Sequence, residues 1–431
     1  MTQQVRFQLN PFPNQIKDIF PDTASISEAR NSALEKLSKT EFPKPEQEVW
    51  KYSKIFDLDL KSLSPSLESP DGSKTKASFL DIVESDLVEI SDGWLTSGKG
   101  NHSSGDSGVY VGSLANTDAY LTNFEKHLIE PKDFFDCLNR SYNPETLLIQ
   151  IPNGVTLESP IYIKVQSVTS GSVTCPRVIV SLGENSAATI IEHHLSGSGE
   201  SLSVPVLDAY VGQNSRLKHC VLQDLGKKTW QVSKQNFQLE KDSYLEIFTG
   251  AFGGDYARSE IRCELKGRGS EAYLSAAYFG NEEQTLDFRT FQKHEAPNTT
   301  SKLLFKGALD GDSRSIYSGL IKVLPEAVRT KAQQTNRNIK LSENAWAESV
   351  PNLEIETNDV VCTHASTVAG IDEEQLFYLE SKGIETSLAE RLIIAGFFDD
   401  VISQAGDSLL VGEATSKLTE ILGNRFMGQG G

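Results

Sequence analysis

Short strand-like runs separated by small polar turns fill the middle of the chain, from about residue 146 to about residue 360. The runs are alternating or β-branched, as at 147–151, 177–180 and 244–248, which is typical of β-strands. The turns recur about every 28 residues, and similar turns follow after longer intervals at 311–313 and 342–345. The first four turns are Gly183-Glu184-Asn185-Ser186, Gly212-Gln213-Asn214-Ser215, Lys241-Asp242-Ser243 and Gly267-Arg268-Gly269-Ser270.

A fixed period in a strand-rich region indicates a repeat architecture. One coil cannot bury its own apolar face, whereas stacked coils form a continuous core and add about 4.8 Å each along the axis. No helical period interrupts the strands, which disfavours a layered α/β fold, while a β-sandwich is the alternative. The pattern therefore predicts a parallel β-helix. Because a solenoid ends in an open sheet edge, we also expect a partner that covers or extends this edge.

The segment before the β-helix shows a helical period. Ser25 and Glu28 form a capping-box pattern, and apolar residues then recur on one face of the predicted helix. These apolar residues are Ala29, Ala33, Leu34 and Leu37. We therefore expect residues 1–145 to form a partly helical N-terminal domain and residues 146–360 to form the β-helix.

Residues 361–431 are predicted to form a C-terminal helical domain. Asp372 can cap a first helix, and Gly383 supplies its C-terminal stop. The first helix carries Leu376, Phe377 and Leu379, and a second helix from 387 to about 403 places Leu388, Leu392, Ile393 and Phe397 on one face. Gly406 and Asp407 break the second helix, and a third helix is expected to run to about residue 422.

The charge of the 431-residue chain excludes several classes of function. It has 59 acidic and 41 basic residues and a formal net charge of -18 at pH 7. Such a surface repels phosphate backbones and anionic lipids, so we expect neither nucleic acid nor membrane partners. The sequence contains no apolar run of about 18 residues that would span a membrane, and its start does not resemble a secretory signal. We expect a cytoplasmic protein.

Familiar catalytic and metal-binding patterns are missing from the sequence. The five cysteines are widely separated, which disfavours a zinc knuckle or a ferredoxin-type cluster site and favours a reducing compartment. No P-loop, G-x-S-x-G elbow or H-E-x-x-H helix occurs. His193 and His194 are adjacent on a predicted strand and should point to opposite faces, which favours structural roles. His294 is expected to have a solvated or capping role in a polar turn.

Cys362 and His364 form the one pair that we single out. On an extended segment the side chains of residues i and i+2 share a face, so thiol and imidazole would emerge together. Thiolate and imidazole are both ligands for iron. Two ligands do not close a site, so the remaining ligands would come from a second chain. A buried cysteine beside a hydrogen-bonded histidine is the structural alternative.

Three sets of motifs follow one another along the chain. The C-terminal set spans Leu353-Glu354-Ile355, Val361-Cys362-Thr363-His364-Ala365-Ser366-Thr367-Val368 and Leu376-Phe377-Tyr378-Leu379-Glu380-Ser381-Lys382-Gly383-Ile384. Upstream lie a Gln- and Asn-rich segment, Thr330-Lys331-Ala332-Gln333-Gln334-Thr335-Asn336-Arg337-Asn338, and an N-terminal motif, Pro45-Glu46-Gln47-Glu48-Val49-Trp50-Lys51-Tyr52. In this order the motifs resemble the SufB/SufD family, and the Cys-x-His sequence followed by a small residue resembles its SufD type. The resemblance is dense over about 290–400 and sparser before that.

The resemblance implies a mainly β protein: a right-handed parallel β-helix flanked by N-terminal and C-terminal helical regions. It implies a non-catalytic scaffold subunit that pairs with a SufB-type subunit and binds a SufC-type ATPase. His364, with Cys362 beside it, would contribute to cluster assembly at the SufB–SufD interface, where an iron–sulfur cluster is held transiently. The residues around Phe377, Tyr378, Gly383 and Ile384 would contact the ATPase. Reduced flavin can bind some complexes of this system, and no residue here locates its site.

Two positions depart from the family pattern: Ala365 and Ala369 stand where glycine is usual. A glycine there would permit a positive φ or a close backbone approach, so the two alanines put the backbone conformation near His364 in question.

The alternatives to the SufD type are a SufB-type cluster scaffold and a β-helical carbohydrate-active enzyme. The SufB-type scaffold is disfavoured because no cysteine lies between Cys263 and Cys362. A homodimer formed through the unpaired edge is a third alternative.

Overall fold

Two largely parallel β-sheets wind together into a β-solenoid of about eight turns, with helices at both ends of the chain. The computed structural model describes residues 19–20, 22–44, 46–70, 78–82, 87–98, 108–116 and 131–427. Pro45 of the N-terminal motif lies outside these residues. The mainly β solenoid predicted from the turn period is confirmed.

We call the two sheets A and B. Sheet A has 12 strands and sheet B has 10. Sheet A contains β1 (Ser64–Pro65), β4 (Tyr110–Ser113), β5 (Thr146–Ile151), β7 (Ser172–Thr174), β8 (Arg177–Leu182), β10 (Ser201–Ser203), β11 (Val206–Val211), β13 (Thr229–Leu239), β15 (Tyr256–Leu265), β17 (Thr285–His294), β19 (Arg314–Val323) and β21 (Trp346–Ile355). Sheet B contains β2 (Leu87–Ser91), β3 (Trp94–Ser97), β6 (Ile161–Ser167), β9 (Ala187–Ser196), β12 (Arg216–Asp224), β14 (Tyr244–Ala251), β16 (Glu271–Gly280), β18 (Thr300–Leu309), β20 (Thr330–Lys340) and β22 (Val360–Ala369).

Helices flank these sheets. The α-helices are α1 (Ala24–Lys39), α2 (Phe134–Tyr142), α3 (Glu373–Ser381), α4 (Thr386–Ile402) and α5 (Ser408–Met427). Short 3-10 helices span Glu48–Trp50, Ile55–Asp57, Leu60–Ser62, Phe79–Ile82, Leu114–Asn116 and Ser403–Ala405. Strands β1 to β4 arise within the predicted N-terminal region, and β22 continues past the boundary expected at residue 360.

The polar turns stack from coil to coil at one corner of the solenoid. Asn185, Asn214, Asp242 and Gly269 all adopt a positive φ directly before a strand of sheet B. Each donates its backbone N–H to the turn of the next coil, as Asn185 does to the Gln213 carbonyl at 2.9 Å. The left-handed conformation favours Asn, Asp and Gly, which is why these residue types mark the period.

The later members of the predicted series lie elsewhere. The turns at 311–313 and 342–345 lead into β19 and β21 of sheet A, so they occupy the opposite corner. The first corner continues instead at Asn298 and Arg329, which also have a positive φ. Arginine is uncommon in this conformation, so composition did not mark that turn.

Both outer faces of the solenoid are covered by flanking segments. Phe134 and Phe135 of α2 pack with Trp50 against the outside of sheet A. Phe398 of α4 and residues of α5 pack against sheet B, where Lys306 Nζ also bonds an Asp400 oxygen at 2.7 Å. The strands are therefore buried on both sides along most of the solenoid.

The predicted helices are present, with corrections at α1 and α4. Helix α1 begins at Ala24 with Thr23 as its N-cap, so Ser25 lies inside the helix and the capping-box prediction was wrong. The Asp372 side chain does cap α3, accepting from the N–H groups of Glu374 and Gln375. The predicted apolar face of α4 lines a groove and is not the fully buried face, because Leu388 and Leu392 are exposed. The fully buried residues of α4 are Ala389, Ile394, Phe398, Val401 and Ile402.

Candidate functional site

The C-terminal end of the solenoid is open. Strand β21 pairs only with β19, and β22 pairs only with β20, so each leaves one backbone edge without a partner in the described chain. Apolar side chains are exposed there, with Val361 64% exposed and Val368 42% exposed. The other end differs, because β3 and β4 cap it as antiparallel strands. An unpaired strand edge with apolar side chains is a template for pairing with another chain.

Cys362 and His364 lie on β22, in the last coil. Their Cα partners on β20 are Ala332 and Gln334, whose side chains are buried and face the interior of the solenoid. Parallel neighbours in register share a face, so Cys362 and His364 point along the same face, at the mouth of the interior. The strand therefore brings the two residues together as the i and i+2 spacing predicted.

The two side chains have different surroundings. Cys362 is half-buried and packs against the apolar cluster around Ile321 and Val323, and this burial raises the pKa of its thiol. His364 is exposed, and its ring makes no hydrogen bond with any residue that the structure describes. No group of three or more His, Cys, Asp or Glu residues within the described ranges could hold a metal ion. A metal at this pair would therefore need ligands from outside the described residues.

The four residues predicted to contact an ATPase lie on α3 and the turn after it. Phe377 is 71% exposed and Tyr378 is 60% exposed. Gly383 has a φ of 85° and donates its N–H to the Glu380 carbonyl at 2.9 Å, and the half-buried Ile384 continues the turn. Gly383 thus ends α3 and sets the angle at which α4 begins.

A groove of about 740 Å³ separates this helical pair from the end of the solenoid. Tyr378, Leu392 and Phe397 line its helical side, and Ile339 and Gly370 line the solenoid side. Leu388 and Leu392 of α4 are 46% and 48% exposed. Sequence periodicity missed their exposure because α4 carries apolar residues on all sides, so its pattern does not identify the buried face.

The interior of the solenoid holds a polar cluster that the sequence analysis did not predict. Glu192 accepts hydrogen bonds from His194 at 2.7 Å and from His219 at 2.8 Å. Burial alone would raise the pKa of Glu192, but these bonds outweigh it and lower the pKa to about 2. All three residues line an internal cavity of about 30 Å³. The signal for this cluster was the 27-residue separation of Glu192 and His219, which is close to the turn period and places them on adjacent coils.

The remaining histidines and cysteines of interest are structural. His193 bonds Ser78 at 2.7 Å outside the solenoid while His194 points inside, which confirms the prediction of opposite faces. His294 is buried and bonds Thr299 and Ser301, so the prediction of a solvated residue was wrong. The other four cysteines are buried free thiols: Cys137, Cys175, Cys220 and Cys263.

The N-terminal motif docks on sheet A near the open end. Arg258 Nη2 donates to the Val49 carbonyl at 2.8 Å, and its guanidinium lies 3.8 Å from the centre of the Trp50 ring. Arg289 donates to the Lys51 carbonyl at 2.8 Å. The motif therefore attaches the N-terminal region to the solenoid.

A search of the described helices for a segment long and apolar enough to cross a membrane found none.

Comparison with known proteins gives two adjoining matches to one family. Residues 165–397 match the model described as SUF system FeS cluster assembly, SufBD core domain. Residues 12–163 match the SufBD protein N-terminal region. Together these matches cover the solenoid, α3 and most of α4.

Individual relatives agree with these models. An iron–sulfur cluster assembly SufBD family protein of Mycobacterium tuberculosis is 32% identical over 287 residues, which cover 65% of this chain and 70% of that protein. The iron–sulfur cluster assembly protein SufD of Escherichia coli is 28% identical over 242 residues, 56% of this chain and 57% of that protein. The chloroplastic protein ABCI7 of Arabidopsis thaliana is 26% identical over 416 residues, 92% of this chain and 87% of that protein.

Proposed function

Because the chain belongs to the SufBD family of iron–sulfur cluster assembly proteins, we propose that it is the SufD-type scaffold subunit of a SufBCD complex. In this proposal the chain is not an enzyme on its own, and ATP is hydrolysed by a SufC-type partner. The relatives named SufD in Escherichia coli and Bacillus subtilis support the SufD assignment. We propose a cytoplasmic location, although one relative is named as chloroplastic.

The open last coil is the observation that carries the proposal. Strands β21 and β22 offer unpaired edges, and His364 stands beside Cys362 at the mouth of the interior. A SufB-type subunit that extends the two sheets would bury this mouth and place its own side chains opposite His364. The nascent cluster is the cargo of this interface. His364, exposed and without a hydrogen-bond partner in the described chain, is available as its SufD-side ligand.

The exposed face of α3 and α4 is the proposed ATPase contact. Phe377, Tyr378, Leu388 and Leu392 are exposed apolar residues of these two helices, and Tyr378 and Leu392 also line the groove. Gly383 and Ile384 form the turn between the two helices. Exposed aromatic and aliphatic residues of this kind are typical anchors of a protein interface. Reduced flavin, if it binds, would bind the assembled complex.

Co-expression of this chain with its SufB and SufC counterparts tests the proposal. The wild type is compared with His364→Ala and with Ser366→Ala, a matched control two residues along the same strand face. We expect all three complexes to form and only His364→Ala to lose iron and sulfide after anaerobic purification. Normal cluster content in His364→Ala would remove the site assignment. A wild-type chain that forms only homodimers would refute the proposed partners.

A further inference from the structure

The Gln- and Asn-rich segment forms β20, the strand directly beneath the last coil. Its residues alternate strictly, with Gln333 and Arg337 exposed and Gln334, Asn336 and Asn338 buried. The buried members face the interior of the solenoid, as the alternation of a strand requires. Amide side chains therefore line the interior immediately below His364.

Two of these amides belong to a closed network. The Tyr278 hydroxyl donates to Asn338 Oδ1 at 2.7 Å and accepts from Asn336 Nδ2 at 3.0 Å. Asn338 Nδ2 in turn donates to Asn336 Oδ1 at 2.8 Å. Because these groups satisfy one another, the network accounts for both asparagines as structural residues.

Gln334 is different. Its side chain is fully buried, and neither its Nε2 nor its Oε1 has a hydrogen-bond partner in the described structure. Space for it comes from Gly319 on the facing sheet, where an added Cβ would lie 2.2 Å from Gln334 Nε2 and 2.4 Å from the Tyr317 hydroxyl. Burying an unpaired amide is costly, so such an amide directly beneath the open mouth of the solenoid is a candidate for a ligand contact.

The register places that ligand at the His364 site. Gln334 is the Cα partner of His364, and adjacent strands lie about 4.8 Å apart, so the Gln334 amide is in the layer between His364 and the closed interior. We propose that Gln334 binds the anionic sulfur of the cargo: its Nε2–H donates to a sulfide held by iron at His364. Hydrogen bonds to the sulfur atoms are one of the means by which proteins tune iron–sulfur clusters. This inference rests on the proposed function and names a second residue of the same site.

Substitution by methionine tests the inference. Gln334→Met keeps the length of the side chain and removes the donor. Gln292→Met is the matched control, because Gln292 is also a buried glutamine with an unpaired amide but lies on β17, farther from the last coil. Both variants and His364→Ala are purified as the complex with the SufB and SufC counterparts, and iron, sulfide and visible absorption are measured anaerobically.

We expect Gln334→Met to form the complex normally and to melt, as the isolated chain, at the wild-type temperature or higher. We expect its sulfide content to fall at least fivefold, with Gln292→Met unchanged. If Gln334→Met retains sulfide while His364→Ala loses it, the inference fails and the proposed function stands. If Gln334→Met melts lower or fails to assemble, Gln334 is structural and the inference also fails. Full cluster content in His364→Ala would overturn the proposed function as well.

Discussion

Replacing Arg258 by leucine would detach the N-terminal motif from the solenoid. The Arg258 side chain is 1% exposed and joins three elements through one guanidinium. Its Nη1 bonds Asp287 at 3.0 Å, its Nη2 bonds the Val49 carbonyl at 2.8 Å, and its plane lies 3.8 Å from the centre of the Trp50 ring. Arg258→Leu removes these three contacts and a 3.5 Å ion pair with Glu260, and it leaves the buried Asp287 with one cation fewer.

The expected loss follows from what remains around Asp287. Burial alone would raise the pKa of Asp287, but Arg289 and Arg258 outweigh burial and hold that pKa below its ordinary value. In the variant, Arg289 Nε at 2.6 Å and the Tyr256 hydroxyl at 2.7 Å still bind the carboxylate. Removing one partner of a buried ion pair costs about 3–5 kcal/mol, and the surviving partners place this case near about 3 kcal/mol.

Urea unfolding measures this loss in the free energy of unfolding. Fluorescence and circular dichroism are followed together, because coinciding transitions are required before a single free energy is assigned. Arg314→Leu is the control: Arg314 also lies over a tryptophan, 5.9 Å from the centre of the Trp346 ring, but it is exposed. An exposed cation–π contact contributes about 0.5–1 kcal/mol. Equal losses in the two variants would refute the docking role of Arg258.

Three further predictions concern pH and partner contacts. The pKa of Glu192 is lowered from the ordinary 4.5 to about 2, so ionised Glu192 stabilises the folded state above pH 4.5 and this stabilisation is lost as the pH falls toward 2. Glu192→Gln should therefore remove the fall in the free energy of unfolding between pH 4.5 and 2, measured by urea unfolding at each pH. Burial lowers the pKa of His294 from 6.5 to about 4, so the unfolded chain binds a proton at a higher pH than the folded chain and the free energy of unfolding falls between pH 6.5 and 4. His294→Gln should abolish this fall, and an unchanged dependence of the free energy of unfolding on pH would contradict the prediction. Val361→Lys should prevent pairing with the SufB counterpart and leave SufC binding intact, whereas Leu388→Asp should prevent SufC binding and leave SufB pairing intact. Gel filtration of each variant mixed with each partner measures the two contacts separately, and loss of both contacts in either variant would contradict separate surfaces.

Much of the fold follows from local sequence. Asn185, Asn214 and Asp242 predicted a corner of the solenoid because a left-handed residue is needed once per coil and few residue types adopt it. Asp372 and Gly383 predicted the two ends of α3 because helix capping is decided within a few residues. The placement of Cys362 and His364 on one face followed from strand geometry alone.

The tertiary structure decided which faces are buried and which residues meet. Helix α4 is apolar all round, so only its packing on sheet B showed that Ile394 is buried and Leu388 exposed. Likewise, the Gln/Asn-rich segment was recognisable in the sequence, but the register of β20 with β22 placed Gln334 beneath His364 and left its amide unpaired. Periodicity specifies a strand and its two faces. The register between strands of neighbouring coils, and therefore which residues meet, depends on the number of residues in every turn that separates them.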